Sequence, residues 1–216
     1  RLYSSHMPPI ETVQDKIRML DFRKFAGALA LVIGVTGCSL SGASTTEREG
    51  FTPTARWDYH PEATGWTNAS LQMLQSDAAI LTELEPADID QWCPAYLEGD
   101  AEQRAAFWNG ILSALAFHES THRPDAIGGN GRWFGLTQIV PATARGYGCE
   151  AGSADALLDG EANLQCALRI WATTVQRDGV ISEGMRGIAA DWGPFHSSRK
   201  REDMRQWVSQ QAYCAG

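Results

Sequence analysis

Apolar residues recur at steps of three and four through most of the chain after about Asn68, and that spacing predicts helices. Leu71, Leu74, Ala78 and Leu81 mark the first. Pro86 and Pro94 divide the next stretch into short helices, because a proline inside a helix removes a backbone donor and clashes with the preceding turn. Asp100 with Gln103 three residues on is a capping-box pattern, and the strongest helix is expected over 101–121. Trp108, Ile111, Leu112, Leu115 and Glu119 fall on one of its faces, so the buried stripe ends in a carboxylate. Pro124 closes this helix, since the residue before a proline is pushed out of the α region. A short helix is expected over 141–147, with Pro141 at its first position. Leu164, Ala167, Leu168, Trp171 and Val175 predict a core helix over about 159–176, ended by Gly179. Ser182 should cap a short helix running to about Asp191, and Ser198 a last one with Met204, Trp207, Val208 and Gln211 on one side. No alternating run exceeds four residues and no repeat is visible, so the fold class expected is all-α: a bundle of short helices around the one over 101–121.

The first part of the chain reads differently. Arg23 and Lys24 precede an apolar run from Phe25 to Val35, which is too short to span a bilayer comfortably and has the layout of a signal peptide. Val35-Thr36-Gly37-Cys38 resembles a bacterial lipobox, which implies a lipid on Cys38 after cleavage. Ser39, rather than Asp, after that cysteine implies sorting to the outer membrane of a Gram-negative bacterium, facing the periplasm. Residues 1–18 then lie upstream of the natural start at Met19. The expected organisation is a leader and lipoprotein signal over 1–38, a Ser/Thr/Gly/Pro-rich tether over 39–66 and one domain over 67–216. Trp57, Tyr59 and Trp66 could dock onto the domain and end the tether earlier. Cys93, Cys149, Cys166 and Cys214 in an exported chain favour two disulfides; of three pairings, 149–166 with 93–214 is preferred.

Charge narrows the partners. The chain carries a formal −8, and without residues 1–38 about −10, with Lys200 the one lysine left. A basic footprint for nucleic acid is absent, and that class is set aside.

The chemistry concentrates in residues 115–141, where a helix carrying Glu119 runs into a loop rich in Gly and aromatics. A carboxylic acid in apolar surroundings has a raised pKa and suits general acid work near neutrality. Glu119-Ser120, Pro124, Gly135-Leu136-Thr137-Gln138, Pro141 and Thr143-Ala144 resemble the lytic transglycosylases of the lysozyme superfamily, those with an SLT-type domain. The resemblance covers about residues 105–195. It implies a lysozyme-like fold and a peptidoglycan lytic transglycosylase that cleaves the MurNAc–GlcNAc bond without a cofactor. Glu119 is then the acid and base, and the product is a 1,6-anhydro sugar formed by the substrate's own 6-hydroxyl. Ser120 is expected to orient the glutamate, and Gly135, Leu136, Thr137 and Gln138 to line the sugar groove, with Gly135 letting backbone approach a ligand. Trp133 and Phe134 are either core or sugar-stacking residues. Thr137 stands where the family has Met. Ala189-Ala190-Asp191-Trp192 fits the family's Tyr-Trp pair with Asp191 in place of the tyrosine, so Asp191 or Tyr147 would substitute for it, beside Trp192. Glycan strands are the expected partner, the protein a monomer touching membrane only through its lipid, and an envelope machine a further conceivable partner. A tethered enzyme beside its substrate needs no cationic steering, consistent with the acidic charge.

Two other readings stand beside this one. His118-Glu119-Ser120-Thr121-His122 also matches H-E-x-x-H, a zinc metalloprotease motif with its two histidines one helical turn apart. No third ligand is singled out, and no metal site is expected. The same groove on a non-catalytic wall-binding lipoprotein is the other.

Overall fold

The computed structural model describes residues 52–215. The leader, Cys38 with its signal and residues 39–51 of the expected tether lie outside the described residues. The described chain is mostly helical. Helices α1 (Ala63–Leu74), α2 (Ile80–Glu83) and α3 (Ile89–Trp92) lead to α4 (Ala101–Ser120). A small antiparallel hairpin comes next, β1 (Ile127–Gly128) with β2 (Trp133–Phe134), pairing Ile127 with Phe134 and Gly128 with Trp133. Then come α5 (Pro141–Gly146) and α6 (Gly160–Asp178). A second hairpin, β3 (Ser182–Glu183) with β4 (Arg186–Gly187), precedes α7 (Ser198–Ser209) and α8 (Ala212–Ala215).

The central helix forms where its caps place it. Asp100 accepts from the Gln103 backbone N–H at 2.9 Å, and the Gln103 side chain accepts from the Asp100 N–H at 2.9 Å, satisfying two donors that a helix start otherwise leaves open. Residues 105–116 of α4 are buried on every face, so the single apolar stripe read from the spacing understates its role. Helices α1, α2, α7 and α8 pack around it. Gly110 lies in its middle because the Tyr213 hydroxyl from α8 sits where a Cβ would be. That hydroxyl donates to the Thr54 carbonyl at 3.1 Å, tying both ends of the described chain to the central helix.

The core is rich in tryptophan. Trp57, Trp66, Trp92, Trp108 and Trp171 are all essentially inaccessible. Some of them find partners for their inward polar edge: Trp57 donates to the Thr67 hydroxyl at 2.9 Å and Trp108 to the Tyr96 hydroxyl at 3.0 Å, while Trp171 Nε1 meets no acceptor among the described residues. Residues 53–66 therefore belong to the domain: Trp57 and Trp66 are core residues and α1 already starts at Ala63, so the tether does not extend to 66.

Two local expectations are corrected. Ser182 opens no helix, since the buried Asp88 carboxylate accepts from the Ile181 and Ser182 backbone N–H groups at 2.6 and 2.9 Å and holds the segment extended into the second hairpin. The last long helix is capped by Ser197, one residue before the serine expected.

Disulfides join Cys93 to Cys214 and Cys149 to Cys166, the preferred pairing. They close segments of 121 and 17 residues, and a longer closed loop restricts the unfolded chain more. The double substitution Cys93→Ala, Cys214→Ala should lower the unfolding free energy by about 3–5 kcal/mol, more than the equivalent pair at 149 and 166. Urea denaturation of the two variants side by side checks the order.

Candidate active site

Glu119 sits in the last turn of α4, half-buried, on the wall of a groove of about 350 Å³. Trp133, Gln138, Thr143, Asp191, Trp192 and Lys200 share that groove with it. Among the described residues nothing hydrogen-bonds the Glu119 carboxylate. Burial pushes its pKa up to about 7, while the Lys200 ammonium pulls in the opposite direction. The group is therefore protonated for a large part of the time near neutral pH and changes its charge there, as an acid that must later act as a base requires.

The helix stops because the backbone turns over at two successive residues. Thr121 adopts the left-handed conformation (φ 54°, ψ 41°) and His122 follows at φ 59°. Ser120 secures this end: its hydroxyl donates to the Ala116 carbonyl and accepts from the Arg123 N–H, each at 3.2 Å. It is buried and locks the turn rather than contacting Glu119 as expected.

The turn also separates the two histidines. His122 is fully buried; its Nε2 donates to the Ser113 carbonyl at 2.8 Å and its Nδ1 accepts from the Tyr59 hydroxyl at 2.8 Å. His118 Nε2 pairs with Asp203 at 2.7 Å, and Asp203 also takes the Arg56 guanidinium at 2.5 Å. Both imidazoles have lowered pKa values, through burial first of all. A zinc pair at i and i+4 needs a continuous helix and free ring nitrogens. Here the helix has ended before His122 and both of its nitrogens are committed to protein partners, so the metalloprotease reading fails.

The segment 135–138 forms the opposite side of the site, and most of it faces inward. Leu136 and Thr137 are fully buried. The Thr137 N–H and hydroxyl both donate to Asn163 Oδ1, at 2.9 and 2.6 Å. Asn163 Nδ2 in turn donates to the Phe134 and Leu157 carbonyls, each at 2.9 Å. Gly135, at φ 77°, backs onto Leu157 and Asn163, so its missing side chain admits this buried amide and not a ligand, contrary to expectation. Gln138 does line the groove, with φ 55°, held by donating to the Gly135 and Ala126 carbonyls at 2.8 and 3.1 Å. Trp192 lies beneath the groove and donates to the Thr137 carbonyl at 2.8 Å, joining the two walls. Tyr147 reaches the site through Asp191, to which it donates at 3.2 Å. Trp133 is 43% exposed, its ring laid across Gly129 at the groove rim, while Phe134 packs on the core.

The structure thus brings Glu119, Gln138, Asp191 and Trp192 together and places Ser120, Gly135, Leu136 and Thr137 behind them as scaffold. Asn163 and Lys200 were not singled out from the sequence. An asparagine beside Leu164 on the core helix, and the one lysine of an otherwise arginine-only domain, were the available signals.

A helix-end carboxylic acid, unpaired among the described residues and facing an open groove, suits general acid chemistry on a bound substrate. Residues 97–183 match the family model of the Transglycosylase SLT domain. Over those residues the chain is similar to that domain, and this likeness supports a peptidoglycan lytic transglycosylase. Among solved structures it is similar to Bd0314 DslA. Two glutamate-to-glutamine mutants of that protein each match with a TM-score of 0.68, at 25% and 26% identity over 76% of this chain and 99% of theirs. Its wild-type form 2 gives a TM-score of 0.64 at 25% identity with the same coverage. No curated protein matches the chain in sequence.

The buried carboxyl has a consequence for stability. Its folded pKa of about 7 exceeds the ordinary 4.5, so the folded state is penalised once the group ionises. The penalty is absent well below pH 4.5, grows between 4.5 and about 7 while the group ionises in the unfolded chain but keeps its proton in the folded one, and is constant above that. Glu119→Gln should therefore match the wild type in stability at pH 4 and exceed it by about 2–3 kcal/mol at pH 8.5. Thermal melts at the two pH values compare them.

Proposed function

We propose that Glu119 alone serves as acid and then base in cleaving the MurNAc–GlcNAc bond, leaving a 1,6-anhydro-MurNAc end. Glu119 protonates the glycosidic oxygen as the bond to C1 breaks, and the substrate's N-acetyl group stabilises the cationic centre. The Glu119 carboxylate then takes the proton of the 6-hydroxyl as that oxygen closes onto C1. The nucleophile is intramolecular and already near its target, so no activated water is needed. The observation that carries this reading is the unpaired Glu119 carboxyl with a pKa near 7. The other groove carboxylate, Asp191, is tied to Tyr147 and exposed, which leaves Glu119 as the one groove acid free of a partner among the described residues.

On this reading the enzyme is held at the periplasmic face of the outer membrane by a lipid on Cys38. The apolar run ending in Val35-Thr36-Gly37-Cys38 supports it, and two disulfides suit an oxidising compartment.

Mass spectrometry of digested peptidoglycan is the test. Muropeptides one water lighter than hydrolysed ones, formed equally with and without EDTA, are expected. Glu119→Gln should lower the rate by at least about a thousandfold while the fold is kept. Hydrolysed reducing ends would contradict the anhydro product, and undiminished cleavage by Glu119→Gln would remove the assigned acid.

A further inference from the structure

We infer that Lys200 is the positioning residue that lets Glu119 pass between its two roles, by holding an ammonium against the carboxylate each time the proton leaves it. The inference rests on the single-acid reading above. In that cycle Glu119 starts neutral, gives its proton to the leaving oxygen, is an anion until it collects the 6-hydroxyl proton, and ends neutral. Protons balance without any outside donor. The difficult moment is the anion, half-buried and without a hydrogen bond from any described residue.

Lys200 answers that need from across the groove. It lies in the first turn of α7, just after the Ser197 cap, and lines the same groove as Glu119. Its Nζ donates to the His118 carbonyl at 3.5 Å, in the residue just before Glu119, which holds it at the end of α4. An ammonium has three donors, and among the described residues this is the one acceptor it meets, so the others are free for the groove. It is half-buried, where a charge acts through less water than on an open surface. The remaining charges around Glu119 are engaged elsewhere. On α7, Asp203 is bound by Arg56 and His118. Next to Glu119 on α4, His118 is that same partner. Across the groove, Asp191 takes the Tyr147 hydroxyl. From the β1–β2 side the groove receives Trp133 and Gln138, which carry no charge. The sequence agrees: every other cation after residue 38 is an arginine or a histidine. A compact ammonium is the group that can sit beside one carboxylate without clamping it in a bidentate pair.

The test is the pH profile of total glycan-bond cleavage, with Lys200→Met and Lys200→Arg compared with the wild type in the full chain. Lys200→Met should move the basic limb upward by about one pH unit, because the acid keeps its proton longer. It should also lower kcat about tenfold or more at pH 5.5, where both enzymes begin protonated, because the anion is left unsupported. Lys200→Arg keeps the positive charge and should keep the wild-type limb, but recover only part of kcat, because its fork can hold the carboxylate in a bidentate pair. Thermal melts identify any loss that comes from misfolding of α7, which would lower activity at all pH values without moving the limb. An unmoved basic limb in folded Lys200→Met overturns the inference. Bond cleavage is scored whatever its product, so hydrolysed ends would defeat the anhydro reading while leaving the Lys200 result legible.

Discussion

A carboxyl group that is buried without a partner is an energetic liability, and the rest of this domain is arranged around tolerating one. Ionised Glu119 disfavours the fold by on the order of 3 kcal/mol, a large part of the stability of an ordinary domain. The compensation is distributed. A central helix buried on all sides, a core built on tryptophans and two disulfides supply stability far from the groove. The site itself is then left unsatisfied, which is the condition for an acid that must release and recover a proton near neutral pH.

The position of that acid depends on how α4 ends. Two successive residues with positive φ stop the helix within one turn of Glu119 and send the chain away from it, which leaves the carboxyl at an open edge. The residues just behind are used to make the stop rigid. Ser120 ties the last turn to the loop, His122 anchors the loop to Ser113 and Tyr59, and the Arg56–Asp203–His118 cluster fastens the helix end to α7. Across the groove Asn163 does the same for residues 134–137 through three hydrogen bonds, with a fourth to the Leu157 carbonyl. The motif residues are thus divided between one that does chemistry and several that fix where it is done.

The helices were legible in the sequence wherever local signals agreed: the Asp100–Gln103 box, Pro141 at a helix start and Gly179 at a helix end all act where the pattern puts them. Glu119 was legible too, because its spacing from Leu112 and Leu115 put it on a face destined for burial. The features that could not be read depend on contacts distant in sequence. The hairpin at 182–187 forms because Asp88 reaches over from α3's start, 93 residues away from Ile181. The H-E-x-x-H match assumed that helical spacing continues through His122, and backbone torsions at 121 and 122 break that assumption. Gly135 looked like a place for ligand to approach, but the approaching group is Asn163 on α6. A motif reports which residues occur together and not which way each one faces.

Glu119 changes protonation near neutral pH because its surroundings, rather than a hydrogen-bond partner, set its pKa. The most direct measurement of this tracks the carboxyl carbon of Glu119 by ¹³C NMR through a pH titration, assigned by comparison with Glu119→Gln. A midpoint near 7 is the result this account predicts. A midpoint near the ordinary value of 4.5 would mean that the carboxylate is solvated or paired in solution, and would contradict it.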